Sequence, residues 1–424
     1  MWVRKRIEIT PMDLVRGLWG CLTPGHREPL CREIAEVWQT QDALVCLSVR
    51  SGFDLLLHSA GWEPGGEVIM SGLTIPDMPR IVEACGLQPV GVDIDLRTMQ
   101  PDIEQIRQAI TPQTRAIVVA HLLGGICDLE PILEIARKHK LLVIEDCAQA
   151  FVGAAYQGDE RADVSMFSFG PIKTNTSLAG AVFRVRKPDL LKAMDHQQRQ
   201  WKGQSSFKFA KRIAKYAFVK IISTRPLCGG FYQFMKLFGK NHDGVARSMA
   251  RGFAGPDFFK KIRCQPAVPL LRLLRYKLEN FDTAETTRRR ELGLRFQQLM
   301  GDNVHVLGAA MTRQTWWVLP ILVQDPEKLV PQLWDAGFDA SNSCSLHSVV
   351  EDADSVAATI LRHIVFLPLH AGMPVRELER MARCVLNAKP NKPALPQQFL
   401  EAAIPEKAAS EVTLPQLDLA KSSP

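Results

Sequence analysis

No apolar run in this 424-residue chain reaches the roughly 18 to 20 residues a membrane-spanning helix needs. The first residues, MWVRKRIEIT, carry positive charge with no apolar stretch behind it, which is not the pattern of a secretory signal. The ten cysteines are scattered and form no CxxC pair. Neither a zinc site nor a disulfide framework is expected, and no metal; the cysteines read as reduced, mostly buried thiols of a cytoplasmic protein. The phosphate-loop patterns GxxxxGKS/T and GxGxxG are both missing, and no internal repeat is present. Acid is scarce in one place. Residues 199–251 hold twelve lysines and arginines against one acid, Asp243, in a chain whose net charge is +7, so the remainder is net acidic. The basic character therefore belongs to one segment and not to the body.

What is present is a rhythm. From about 43 to 195, short β-rich runs alternate with helical patterns: ALVCLSV, EVIMSG, LQPVGVDID, RAIVVAHLLG, LLVIEDCAQA and DVSMFSFG as strands, GAVFRVR as a further one, and SGFDLLLHSAGW, IPDMPRIVEACG, DIEQIRQAI and LEPILEIARKH as helices. Strands separated by helices predict a mainly parallel α/β sheet with helices on both faces. Runs such as AIVVA and LLVIE are continuously apolar, as strands buried on both faces should be. The chain divides into an N-terminal segment (1–42), a large domain (43–198), a basic amphipathic insertion (199–264), a smaller C-terminal α/β domain (265–389) and a Pro-rich flexible tail (390–424). In the C-terminal domain, residues 270–300 suit one long helix or two, followed by the strand WWVLPILVQ and the helices PEKLVPQLWDAGF and VRELERMARCVLNA.

In open parallel sheets, ligands bind beyond the carboxyl ends of the strands. Three features fall there. Asp146 ends the buried strand of LLVIEDCAQA; it either caps the next helix or pairs with a protonated ring nitrogen, with Gln149 in reach of the same ring. Lys173, in FSFGPIKTNTSLAG, comes after another strand, and Gly170-Pro171 breaks the chain just before it. The turn Ser48-Val49-Arg50-Ser51-Gly52 opens a helix whose N-terminus suits a phosphate, with Arg50 as an added contact and Ser168 as a hydroxyl near the lysine. A lysine for an aldehyde, an aspartate for a pyridinium and a phosphate cradle are what pyridoxal 5′-phosphate (PLP) requires.

These stretches resemble the DegT/DnrJ/StrS family of PLP-dependent sugar aminotransferases, of the aspartate aminotransferase fold type I. The resemblance is carried by GWEPGGEVIMSGLT, PVGVDIDLRTMQPDIEQIRQAITPQTRAIVVAHLLGG, KHKLLVIEDCAQAFVGAAYQG and ADVSMFSFGPIKTNTSLAGAVF, and more loosely by HIVFLPLHAGMPVRELERM. It implies a seven-stranded-type sheet with a smaller C-terminal domain. It makes Lys173 the Schiff-base lysine, Asp146 the partner of the ring nitrogen, Gln149 a contact to the ring hydroxyl and Ser168 a contact to the phosphate. Arg50 and Ser51 fall on the phosphate turn and Thr74 near the segment covering the ring. The usual Gly-Thr of that turn is Val49-Arg50 here, and the Gly-rich stretch after the lysine is shortened to TSLAG. The implied reaction moves an amino group from an amino acid, glutamate or glutamine, to a keto-sugar or related carbonyl compound for polysaccharide, glycolipid or secondary-metabolite synthesis, in a homodimer. The alternative is a non-catalytic or differently catalytic relative at the membrane surface.

The basic segment, SSFKFAKRIAKYAFVKIIS and beyond, reads as a solvated insertion packing on the body or as an amphipathic helix lying on an anionic membrane through 205–240. The second reading puts a cytoplasmic enzyme at the inner membrane surface. No recognition motif accompanies the charge, so nucleic acid is not expected. His121 reads as a structural histidine, Trp316 and Trp317 as core or interface, and His347 and His370 as candidates for the substrate side.

Overall fold

Continuous apolar runs become the strands of the large sheet. The computed structural model describes residues 1–4, 7–230, 253, 257–343 and 345–393. The chain opens with α1 (Pro11–Leu22) and α2 (Arg27–Val37), then β1 (Ala43–Cys46) and α3 (Val49–Ser59). There follow β2 (Glu67–Ser71), β3 (Leu73–Thr74), α4 (Asp77–Ala84), β4 (Gln88–Val92), α5 (Ile103–Ala109), β5 (Thr114–Ala120), α6 (Glu130–His139) and β6 (Leu142–Asp146). After them come β7 (Val164–Ser168), β8 (Ala181–Val185), α7 (Pro188–Arg199) and α8 (Ser206–Ile222). The sheet has seven strands in the order β1-β8-β7-β6-β5-β2-β4. The neighbours from β7 through β4 are parallel, and β8 runs antiparallel to both β7 and β1. The mainly parallel sheet expected from the βα rhythm is what forms. Its faces are covered by two apolar cores, one around Phe53, Ile81, Met166 and Phe183, the other around Ile117, Ile132, Ile135 and Val143.

The C-terminal part begins with α9 (Phe258–Ile262), α10 (Val268–Glu279) and α11 (Thr283–Met300). Residues 270–300 are thus two helices, because the Asp282 side chain accepts from Ala284 N at 2.8 Å and starts a new one. Next are β9 (His305–Val306), β10 (Leu319–Leu322), α12 (Pro326–Asp335), β11 (His347–Ser348), α13 (Val356–His363), β12 (Ile364–Leu367) and α14 (Val375–Asn387). Here β12-β10-β9 form an antiparallel sheet with its own core around Phe296, Trp316, Phe338 and Met381.

Two devices lock this part to the large sheet. β11 pairs with β3, His347 opposite Thr74. Buried Asp93, just past β4, caps α13 by accepting from Val356 N at 2.7 Å and Ala357 N at 2.9 Å. Gly91 is required at this seam: a Cβ there would lie 2.5 Å from the backbone carbonyl of Val349. The N-terminal segment folds into the two helices α1 and α2, which the strand–helix rhythm does not reach. Of the basic stretch 205–240, residues 205–230 are described and contain α8; residues 231–240, and residues 394–424 of the expected tail, lie outside the described residues.

Candidate active site

The sheet register brings four strand ends to one edge. Ala120 pairs with Asp146, Asp146 with Met166, Ser168 with Ala181, and Ala181 with Cys46. The chain leaving β1 and the chain leaving β7 are tied at this edge through Gly180, whose N–H bonds to Leu47 O at 2.8 Å and whose O accepts from Phe169 N at 3.0 Å. Asp146, Ser168, the Lys173 turn and the start of α3 therefore share one rim.

Lys173 sits on the turn that follows Gly170-Pro171, with its N–H bonded to Gly170 O at 3.0 Å. It is half-buried. Its Nζ lies 4.5 Å from the centre of the Trp317 ring, a cation–π distance. Trp317 is fixed in turn, its indole N–H donating to Ile172 O at 3.2 Å. Ser168 borders the same space. A Cβ built on Gly170 would meet Ser168 Oγ at 3.7 Å and Lys173 Cγ at 3.9 Å, ordinary contact distances that place both side chains beside Gly170.

Asp146 is half-buried at the end of β6. One oxygen accepts from Ala148 N at 3.0 Å, a local turn bond, and no α-helix follows directly. Burial holds its pKa above the ordinary carboxylate range, against the opposing pull of the Ala148 N–H, Lys173, His121 and Arg50. That is the condition of a carboxylate suited to one more cationic partner, such as a pyridinium. Gln149 stands three residues on, its Oε1 accepting from Leu123 N at 2.8 Å.

At α3, Ser48 is the N-cap. Its Oγ accepts from Ser51 N at 3.2 Å and lies 2.9 Å from Ser51 Oγ. Gly52 lets this turn press flat on β8, since a Cβ would sit 2.2 Å from the Phe183 ring. The helix N-terminus thus points at the rim and suits a phosphate. Arg50 is only partly available to it: its guanidinium is paired with Asp77 at the start of α4. Thr74 is buried and paired with His347 across β3–β11, so of the two histidine candidates the fold brings His347 to the Thr74 strand. His370 lies elsewhere, its ring 5.3 Å from that of Trp2.

His121 ends β5 but is fully occupied. Cys127 N–H donates to its Nδ1 at 3.1 Å, so the ring proton is on Nε2, which donates to Glu145 at 3.0 Å. Glu145 also accepts from Ser165 at 2.5 Å, from Asp159 N at 2.9 Å and from Tyr156. Burial pushes its pKa up, and His121, Ser165 and Tyr156 outweigh that and bring it below the usual value. This is a satisfied structural network.

Three contributors lie outside the sequence reading of the site. Trp317 reaches Lys173 from a distant part of the chain. Asp77 holds Arg50. Buried Arg289 of α11 joins Thr174 Oγ1 (3.3 Å), Thr315 O (3.2 Å) and Glu8 (2.9 Å), tying the residue after Lys173 to the segment before β10 that presents Trp317. Only the RRR run around Arg289 hinted at it, and such runs are usually solvated.

With this geometry in hand, the comparisons are specific. Residues 19–217 match the model of the DegT/DnrJ/EryC1/StrS aminotransferase family. The GDP-perosamine synthase of Caulobacter vibrioides is 38% identical over 181 residues, 40% of this chain and 48% of that protein. The GDP-perosamine synthase of Escherichia coli O157:H7 is 40% identical over 131 residues, 30% of this chain and 36% of that one. The chain thus matches less than half the length of these curated relatives. Among solved structures, the aminotransferase TlmJ from Streptoalloteichus hindustanus superposes with a TM-score of 0.66 at 18% identity, covering 92% of this chain and 99% of that one. The sugar aminotransferase CalS13 from Micromonospora echinospora gives 0.64 at 21% identity, covering 91% and 100%. At that identity the likeness establishes the fold, which is PLP fold type I.

Proposed function

We propose that this chain, whose residues 19–217 match the model of the DegT/DnrJ/EryC1/StrS aminotransferase family, is a PLP-dependent aminotransferase acting on a keto-sugar. The observation that carries this is the meeting of Lys173, Asp146, Ser168 and the α3 N-terminus on one strand edge. The residues fit the cofactor. Asp146 is a half-buried carboxylate whose raised pKa a pyridinium would relieve, and Lys173 and Ser168 both lie beside Gly170.

When bound, PLP supplies an electron sink for a carbanion at the amino acid α-carbon. Every other part falls to the chain. Lys173 would hold the cofactor through its aldehyde and, as a free amine, would take and return the proton at the donor α-carbon. Asp146 would keep a proton on the ring nitrogen. Gln149 would contact the ring hydroxyl. Ser168, Ser51 and the first turn of α3 would hold the phosphate, with Arg50 adding charge. Thr74 would lie over the ring, and His347, on the adjoining strand, would serve the substrate side. The amino donor is glutamate or glutamine. The acceptor is a nucleotide-linked keto-sugar, as the perosamine synthase relatives suggest, serving cell-surface polysaccharide, glycolipid or secondary-metabolite synthesis. The working unit is a cytoplasmic homodimer.

The test is spectroscopic. Protein incubated with PLP should turn yellow, and Lys173→Ala should lose both the absorbance band and amino transfer. Wild-type protein that stays colourless would sink the assignment and favour a non-catalytic relative.

A further inference from the structure

α1 is built inside out. Five of its large apolar residues, Met12, Val15, Leu18, Trp19 and Leu22, are exposed, Trp19 by 72% and Leu22 by 79%, while Leu14 packs half-buried on the core. Its inward face is Asp13, Gly17 and Gly20. The glycines permit close packing: a Cβ on Gly17 would lie 2.9 Å from Ile213 of α8, and one on Gly20 3.4 Å from Pro269 of α10. Asp13 is buried against Lys277 of α10 at 3.2 Å. The helix is anchored by its small residues and shows its greasy side to solvent.

α8, packed beside it, carries two stripes. Phe209, Ile213 and Tyr216 are buried. Phe207, Phe218 and Ile221 are exposed, Phe207 by 67%. At about 100° per residue the two stripes lie roughly 140° apart. One stripe therefore serves the fold and the other has no partner within it. Exposed Lys208, Lys211 and Lys215 flank the outer stripe, and α8 contains no acid. Exposed Arg16 on α1 and Arg225 after α8 extend the charge. Single exposed apolar residues need no explanation, but clusters of this size on two adjacent helices mark an interaction surface.

We propose that the outer faces of α1 and α8 together dock the protein onto an anionic lipid bilayer. Aromatic and aliphatic side chains flanked by lysines match an interface of acyl chains beneath negatively charged headgroups. A second copy of the chain fits poorly, since self-pairing would set Lys208, Lys211 and Lys215 against their own kind. Nucleic acid fits poorly as well, because Trp19, Phe207 and Phe218 lie among the aliphatic Met12, Val15, Leu18, Leu22 and Ile221, which offer a phosphate backbone nothing to bond. No helix among the described residues is long and apolar enough to cross a membrane, so docking lies on the surface. The proposal is independent of the chemistry at Lys173.

The test is flotation of the full chain with phosphatidylcholine vesicles, with and without phosphatidylglycerol. Binding to the anionic vesicles and little to the neutral ones is expected. The pairs Trp19→Gln/Leu22→Gln and Phe218→Gln/Ile221→Gln should each weaken it on the order of tenfold or more. Lys208→Glu/Lys211→Glu/Lys215→Glu should weaken it on the order of a hundredfold. All three variants should keep their circular dichroism and their uptake of PLP, because these residues are exposed and away from Lys173. Absence of flotation would overturn the proposal, as would flotation that both apolar pairs leave unchanged. It also falls if the apolar pairs instead dissociate an oligomer in sedimentation without altering flotation, or if the wild type retains RNA and not vesicles.

Discussion

Replacing Arg289 with Met tests whether the lysine turn is held by one buried guanidinium. Arg289 is 4% exposed. It makes one charge-assisted bond to Glu8 and two bonds to neutral acceptors, Thr174 and Thr315. Methionine fills similar volume but satisfies none of them, leaving half-buried Glu8 without its nearest cation. Losing the guanidinium of such a set, with solvent screening the Glu8 side, costs about 2–3 kcal/mol. For a folded body of this size that is a melting temperature about 2–4 °C lower. The pH dependence supplies a second reading. Burial holds the Glu8 pKa above its ordinary value, with Arg289 pulling it back. A carboxyl raised in the fold stabilises below its unfolded pKa and loses that contribution as pH rises through its folded value. Without Arg289 the folded value is higher still, so more is lost by neutrality. The melting gap between wild type and variant should therefore widen from about pH 4 towards pH 7. Thermal melts followed by circular dichroism across that range measure it. A drop under about 1 °C, or a gap that narrows as pH rises, would refute the clamp.

Trp317→Leu removes the ring under Lys173 Nζ and the bond to Ile172 O, and should cost the cofactor-free protein about 1–2 kcal/mol in chemical denaturation. Asp93→Ala removes two of the bonds to the first turn of α13 and leaves the Ser355 cap on Ala358 N, for about 1–2 kcal/mol, and should speed amide exchange at 356 and 357 but not at 358. Gly91→Ala forces the Val349 backbone away and should cost about 1–3 kcal/mol, with unaltered stability as the contrary result. Burial raises the pKa of Asp146, so PLP affinity in the wild type should fall as pH drops into the acid range, and Asp146→Asn should lose that dependence in titrations followed by absorbance.

The strands of the large sheet were legible because buried parallel strands are continuously apolar, and Val68–Met70, Ala116–Ala120 and Leu142–Ile144 leave no competing period. Their carboxyl ends pointed to Asp146 and Ser168, and the Gly170-Pro171 break after β7 pointed to Lys173. Contacts made across long stretches of chain were not legible. Nothing near Trp317 announces Lys173, and nothing near Thr74 announces His347, because tertiary pairing and not local pattern joins them. α1 was hidden for a different reason. Most of its large apolar residues recur at helical spacing on the outer face, while the fully buried positions are Asp13, Gly17 and Gly20, so reading apolar as inward gives the wrong face.

The stretch after the lysine shows why a departure from a family pattern need not weaken a site. Residues 174–179 are buried, and their polar groups are bonded at every turn: Thr176 Oγ1 to Phe169 O at 3.2 Å, Asn175 Nδ2 to Lys277 O at 2.8 Å, Leu178 N to Thr176 Oγ1 at 2.9 Å. Asn175 and Leu178 take positive φ angles there. Asparagine tolerates that conformation; leucine pays for it with a fully buried side chain beside Ile213 and Leu270. A Gly-rich loop would meet the same backbone demand without the packing. In this chain the loop has exchanged freedom for attachment to α10, α11 and the core beneath α1. The turn that presents Lys173 is therefore fixed by the same layer whose outer surface carries the exposed apolar stripes.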